Sequence, residues 1–137
     1  MSDEKQLRCQ RANSFIRIVG SHGRRFFYNK KRNEFARLEI DHRGRIWLID
    51  EYQGARIYTH YRYRWRGFSN GGTLRMIVER LRDYVRTGNL LPRGIIYWPK
   101  WYCDGNLWGY SAIQMACVRA AAKQVGIFQT SEETVTI

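Results

Sequence analysis

Arginine alternates with aromatic side chains along one stretch of this chain. Over residues 55–65 the even positions are Arg56, Tyr58, His60, Arg62 and Arg64; the odd ones are Ala55, Ile57, Thr59, Tyr61, Tyr63 and Trp65. Successive side chains of a strand point to opposite faces, so the even set predicts one Arg/Tyr/His surface and the odd set a core-facing one. Arg66 follows directly, and no acidic residue occurs over residues 52–70. Arg43 and Arg45 flank a turn before it, and Arg24, Arg25, Lys30, Lys31 and Arg32 make a second basic cluster. Guanidinium is planar, presents a fork of donors to phosphate or carboxylate, and stacks on rings. Cations interleaved with aromatics suit nucleic acid, where charge meets phosphate and planes meet bases. The competing expectation is a solvated sheet face whose arginines pair with Glu39, Asp41, Asp50 and Glu51 across neighbouring strands.

Charge balance decides between these. The chain carries 24 Lys+Arg against 12 Asp+Glu, a formal net charge of +12 and a pI of about 10.1, so the acids are too few to pair every cation. Only Lys5, Lys30, Lys31, Lys100 and Lys123 are lysines; the remaining cations are arginines. An excess of this sign addresses partners and association rate, not fold. An acidic partner is expected: DNA or RNA, or the acidic surface of a host protein or nucleoprotein complex.

Other chemistry-bearing residues carry less. His22, His42 and His60 have no HxxxH or HExxH neighbour, and the first two fall in predicted turns, so no metal or catalytic site and no cofactor are expected. Asp41, Asp50 and Glu51 could be gathered by a hairpin into a metal-dependent nuclease centre, the weakest of the functional alternatives. Ser69-Asn70-Gly71-Gly72-Thr73 opens a predicted helix without Walker spacing. It reads as a turn, with a phosphate held by its amides, helped by Arg66 and Arg75, as the rival. Cys9, Cys103 and Cys117 form no CxxC pair, which argues against a zinc ribbon or disulfide framework and for a reducing compartment. Cys117 is expected to be buried, and Cys103 exposed.

The elements that must position these residues follow from periodicity. Residues 1–13 and 130–137 read as polar tails around a single domain over residues 14–129. Phe15-Ile16-Arg17-Ile18-Val19, closed by Gly20-Ser21-His22-Gly23 and followed by Arg24-Arg25-Phe26-Phe27-Tyr28, predicts a first hairpin. Ala36, Leu38 and Ile40 alternate with Arg37, Glu39 and Asp41 as a half-buried strand. A turn at residues 41–44, a strand Ile46-Trp47-Leu48-Ile49, a turn at residues 52–54 and the 55–65 strand come next. Leu74, Ile77, Val78, Leu81 and Val85 then fall on one helical face, with Thr73 as N-cap and Gly88 at the C-terminal end. Residues 89–110, broken by Pro92, Gly94, Pro99, Gly105 and Gly109, read as a packed loop with a short strand at residues 95–98. Its Trp98, Trp101, Tyr102, Trp108 and Tyr110 form a lid on the core, or else an exposed recognition patch. Ser111 caps a last helix ending at Gly126, whose Ala112, Ala116, Cys117, Ala120, Ala121 and Ala122 predict close packing.

The predicted fold is therefore α+β: an antiparallel sheet of three to five strands packed against two C-terminal helices, in one domain. Hydrophobic residues at 44% and aromatics at 15% support one globular core in 137 residues. No apolar run approaches the roughly 20 residues that span a bilayer, and residues 1–13 lack the apolar stretch of a signal peptide. The cytoplasm is the expected location. A three-stranded sheet leading into a helix, over about residues 35–86, resembles in topology the integrase arm-binding and plant AP2-type DNA-binding domains. Small size with Arg and Trp richness resembles the accessory proteins of bacteriophages and prophages. That likeness implies DNA binding or inhibition of a host function such as a defence system, within the bacterial host cytoplasm.

Overall fold

The computed structural model describes residues 3–61, 73–97 and 108–129. Cys9, Ala12, Ile16 and Val19 recur at intervals of three and four, the spacing of one helical face, and they build the first element. Helix α1 spans Asp3–Gly23, with Asp3 and Glu4 in its first turn and Cys9, Ala12, Phe15, Ile16, Val19 and Gly20 buried. Acidic residues at an N-terminus complement the helix dipole. This overturns two expectations: most of the polar tail and the first strand of the N-terminal hairpin are one continuous helix. Burial pushes the Cys9 thiol up to about 11, with the Glu39 charge adding to it, so this sulfur is inert packing.

The chain leaves α1 through Arg24 in the left-handed region (φ 52) and enters a short hairpin, β1 (Tyr28–Asn29) and β2 (Glu34–Phe35). In its turn the Asn29 side-chain oxygen accepts from the amides of Lys31 (3.0 Å) and Arg32 (3.4 Å). A three-stranded antiparallel sheet follows, ordered β3 (Arg37–Ile40), β4 (Ile46–Ile49), β5 (Arg56–Tyr58). Leu38, Leu48 and Ile57 align across it and are buried, whereas Glu39, Trp47 and Tyr58 align on the opposite face. The edge of β3 is closed by α1. The Asn13 amide donates to the Leu38 carbonyl (3.0 Å), and its oxygen accepts from the Leu38 amide (2.6 Å), as a paired strand would.

The predicted strand over residues 55–65 is shorter than expected. It ends at Tyr58, and Tyr61 N–H donates to the Tyr58 carbonyl (3.0 Å) in a turn through Thr59 and His60. Thr59 drives the turn: its hydroxyl donates to the Ile46 carbonyl (2.7 Å) while Arg82 donates to its carbonyl (2.7 Å). Helix α2 (Thr73–Thr87) matches expectation, burying Ile77, Val78, Leu81, Tyr84 and Val85. Gly88 ends it at φ 82. Thr73 itself is helical.

A 3-10 turn at Arg93–Ile95 replaces the predicted short strand. Helix α3 (Ala112–Val125) has the Ser111–Gln114 capping box and a left-handed Gly126 cap. It buries Met115, Val118 and Ala122. Its other small residues turn outward, contrary to the packing predicted for them: Ala112, Ala116, Cys117 and Ala120 are exposed and Ile113 is 79% exposed. Leu91 and Phe128 bridge in parallel beside it. Helix α1 is the centre, packing against α2, α3 and β3.

The aromatic lid is borne out where it is described. Trp108 and Tyr110 are buried, the former edge-on to Phe15 and Phe26 with its indole N–H donating to the Ile95 carbonyl (3.1 Å). Tyr110 donates to the Val19 carbonyl (2.9 Å) and lies against Gly23, where a Cβ would collide with its ring. Trp98, Trp101, Tyr102 and Cys103 lie outside the described residues, as does the C-terminal tail over residues 130–137. Among the described residues no helix is long and apolar enough to cross a membrane.

Candidate nucleic-acid interface

Strand register gathers the outer face of the sheet around Trp47. Glu39, Trp47 and Tyr58 are direct cross-strand partners. The Trp47 and Tyr58 rings lie 5.1 Å apart, and Tyr58 in turn meets His60 (5.4 Å) and, edge-on, Tyr61 (5.2 Å). Arg45 precedes Trp47 by two residues, and Arg56 stands opposite Ile49, two residues beyond it. The indole therefore lies between two cations along the strand direction. Their guanidinium carbons are 5.5 Å (Arg45) and 4.3 Å (Arg56) from its centroid, within the range of cation–π attraction.

Asp41 fixes this arrangement from the β3–β4 turn. Its carboxylate accepts from the Trp47 indole N–H (2.9 Å), the Arg45 guanidinium (2.8 Å) and the amides of Arg43 and Arg45 (2.9 Å each). Partial desolvation opposes the Asp41 charge, but the donors from Trp47, Arg45 and Arg43 outweigh it and hold the carboxyl well below the usual range. At that end Lys5 of α1 reaches the Gly44 carbonyl (2.7 Å), adding a cation beside exposed Arg43.

The other end of the sheet is joined to the hairpin. Arg32 donates to the Glu51 carbonyl (3.5 Å) in the β4–β5 turn, from which Arg56 emerges. This brings the exposed tip residues Lys30, Lys31 and Arg32 to the sheet. Asp50 spends its carboxylate on the turn itself, accepting from the amides of Tyr52 (2.8 Å), Gln53 (2.7 Å) and Ala55 (3.1 Å). Glu51 is 3% exposed and its Oε2 has no hydrogen-bond partner among the described residues. Burial pushes its carboxyl up to about 7, a backbone hydrogen bond opposes this, and the Asp50 charge adds to it.

Among the described residues, most of the ion pairs lie away from this surface. Glu79 and Asp83 pair with Arg75, Arg82 and Arg86 along α2, and Glu4 with Arg8. At the sheet itself, Arg37 pairs with Glu39 and Arg45 with Asp41. Arg32, Arg43, Arg56, Lys30 and Lys31 have no acidic partner among the described residues. Asp41, Asp50 and Glu51 do not converge, and among the described residues no group of His, Cys, Asp and Glu could hold a metal ion.

The structure brings Arg45, Arg56, Tyr58 and His60 together, with Arg43 and residues 30–32 at the two ends. Burial, with Arg82 and Arg86 nearby, holds the His60 pKa below its ordinary value. Arg24 and Arg25 are exposed where α1 ends; Arg25 lies over Phe26 (5.4 Å), and among the described residues no hydrogen bond or ion pair ties either side chain to the sheet. Arg62, Arg64 and Arg66, like the Gly-Gly turn at residues 69–72, lie outside the described residues. Arg75 pairs with Glu79 and donates to the Tyr61 carbonyl (3.1 Å). His22 and His42 are exposed singly, and Cys117 is exposed, not buried as predicted. Sequence reasoning missed Trp47 and Lys5 as members of the surface. The Asp41-His42-Arg43-Gly44 turn was the available signal for Trp47, since it sets which face of β4 points outward.

No solved structure matches the chain. It is 26% identical over 134 residues to the SPbeta prophage-derived uncharacterized protein YoqU of Bacillus subtilis (strain 168), covering 95% of this chain and 90% of that protein. The general likeness to prophage proteins is thereby supported through a relative, without any diagnostic motif. A family profile, YoqU, matches residues 3–137, and the chain accordingly belongs to the YoqU family.

Proposed function

We propose that the protein acts by binding, gripping nucleic acid through the outer face of the β3–β4–β5 sheet and the hairpin tip beside it. The observation that carries this reading is the distribution of acids. Carboxylates of α2 pair with Arg75, Arg82 and Arg86, whereas Arg32, Arg43, Arg56, Lys30 and Lys31 stand at the sheet without an acidic partner among the described residues. Holding such charges together is unfavourable unless a partner neutralises them, and phosphates do so with release of counterions. Arg62, Arg64 and Arg66 continue the same basic run in sequence.

Charge reversal tests the assignment. Arg56→Glu combined with Lys31→Glu is expected to weaken binding to a short nucleic-acid duplex by about a hundredfold or more at low salt. The same change of charge at Arg11 and Lys123, exposed elsewhere, is expected to cost far less. Equal losses from both pairs would remove the sheet face from the reading.

A second reading is favoured by one feature. An arginine stacked on tryptophan at a surface is also the kind of anchor that dominates protein interfaces. With a prophage-derived relative, an inhibitor that occupies the acidic surface of a host protein or nucleoprotein complex is the alternative. A stoichiometric complex that survives nuclease treatment and is lost in Arg56→Glu would favour it. The nuclease alternative is tested by incubating pure protein with DNA and RNA, with and without Mg²⁺. Asp41 and Asp50, held by their own turns, give it little support.

A further inference from the structure

We propose that this face holds the sugar-phosphate backbone of a double helix and stacks on no base. The inference rests on the nucleic-acid reading above and narrows it. Proteins that take single strands combine a basic groove with aromatic rings left open for successive bases. Here, among the described residues, Trp47, Tyr58, His60 and Tyr61 are already engaged with one another or with cations.

Trp47 has guanidinium carbons 5.5 Å and 4.3 Å from its centroid, Tyr58 at 5.1 Å, and its indole N–H committed to Asp41. Tyr58 is shared among Trp47, His60 and Tyr61. A base stacking on Trp47 would compete with the arginines already over that ring. The stack instead does something for the cations. Arg56 is held over a ring, 4.3 Å from its centroid, and has no ion pair among the described residues, so its fork of donors is positioned before a partner arrives. Two guanidinium groups around one indole, with Arg43 at one end of the sheet and Lys30, Lys31 and Arg32 at the other, make a spread of positive donors. Such donors set position and carry no base identity. Trp47 is a positioning residue in this arrangement, and its ring is a support, not a platform.

Fluorescence anisotropy separates the outcomes. The probes are a DNA duplex, the matching RNA duplex, two duplexes of scrambled sequence, a single strand, and that strand with its bases removed. The expected result is that a duplex binds about tenfold more tightly than the single strand. Scrambling should change affinity by less than about threefold, and the intact and abasic strands should agree within about twofold. A preference between DNA and RNA duplexes names the helix form, and either supports the proposal. Base stacking contributes ~1–3 kcal/mol per base, about fivefold or more. An abasic strand binding fivefold or more below the intact one would therefore overturn the proposal while leaving the nucleic-acid reading intact. Absence of binding to every probe would overturn both.

Variants supply the second arm. Arg56→Lys, which keeps charge and loses the planar fork, is expected to weaken duplex binding about tenfold. Trp47→Ala should do the same, with Trp47→Phe restoring part of the loss through its remaining ring. Tyr52, 56% exposed at the β4–β5 turn, is the control: Tyr52→Ala should leave both strands within about twofold. Unchanged duplex affinity in Arg56→Lys and Trp47→Ala, or a Tyr52→Ala loss confined to the intact strand, would contradict the assignment.

Discussion

Replacing Glu51 by glutamine should make the fold less sensitive to pH, because Glu51 is a buried acid whose carboxylate forms no ion pair among the described residues. Its carboxyl is raised from 4.5 to about 7 by burial first and by the Asp50 charge after it. Between those values the folded state keeps a proton that the unfolded chain has released. Stability therefore falls as pH rises through that window, and the fall is complete above it. Converted at 1.36 kcal/mol per pH unit, the loss is on the order of 3 kcal/mol. Glutamine is neutral throughout, so it does not incur this loss. The difference in unfolding free energy between Glu51→Gln and the parent should grow by about 3 kcal/mol from pH 4.5 to pH 8. Taking the difference cancels any constant penalty from the new amide. It also cancels His60, whose lowered pKa removes stability as pH falls through 6.5 in both proteins. Asp41 titrates in the fold below the range scanned. Urea unfolding at four pH values, followed by tryptophan fluorescence, measures this directly. Two stability curves that run parallel would refute the reasoning and imply that Glu51 has a charge partner in solution.

Three further predictions concern the scaffold under the site. Asn13→Ala leaves the Leu38 amide without its side-chain partner and the Leu38 carbonyl with the weaker Cys9 thiol donor (3.5 Å). It should cost about 2–4 kcal/mol in chemical denaturation, and light scattering should show association through the opened β3 edge. Gly23→Ala drives a Cβ into the Tyr110 ring, so a loss of ~1–3 kcal/mol is expected, with part of it recovered when Tyr110 is also shortened to leucine; a neutral substitution would contradict the close approach. Ser111→Ala removes the capping box of α3 and should lower stability by ~1 kcal/mol without altering partner binding, checked by denaturation beside the binding assay.

Periodicity made much of this fold legible, and the exceptions have physical causes. Leu38 and Ile40 alternate with charged neighbours, so β3 declared both its period and its inner face. The α2 stripe and the Ser111 and Gly126 caps marked two helices to within a residue or two. Helix α1 escaped notice because its buried stripe begins with Cys9 and Ala12, which are small and weakly apolar. The β-branched run from Phe15 to Val19 meanwhile imitated a strand. Propensity was overridden there by tertiary packing, since α1 is surrounded by α2, α3 and β3.

Phase was harder to read than period. The Ala and Cys residues of α3 suggested a packing face, but small side chains do not say which way they point. Met115, Val118 and Ala122 took the core instead. At the candidate site the alternation placed Arg56 and Tyr58 on one face, and Thr59 explains why the strand stops there and His60 joins them from a turn. Trp47 was hidden inside the apolar run Ile46–Ile49, where no alternation reveals a face. Only the register with Tyr58 and the bond to Asp41 turn it outward.

The most direct test of the central claim is the salt dependence of duplex binding. If the sheet cations that have no ion pair among the described residues neutralise phosphates, log affinity should fall linearly with log salt concentration, with a slope of about −0.9 per phosphate contacted. Arg56→Glu should make that slope shallower by about one contact, whereas Lys123→Glu on α3 should leave it unchanged. A wild-type affinity indifferent to salt, or an Arg56→Glu slope equal to that of the parent, would contradict it.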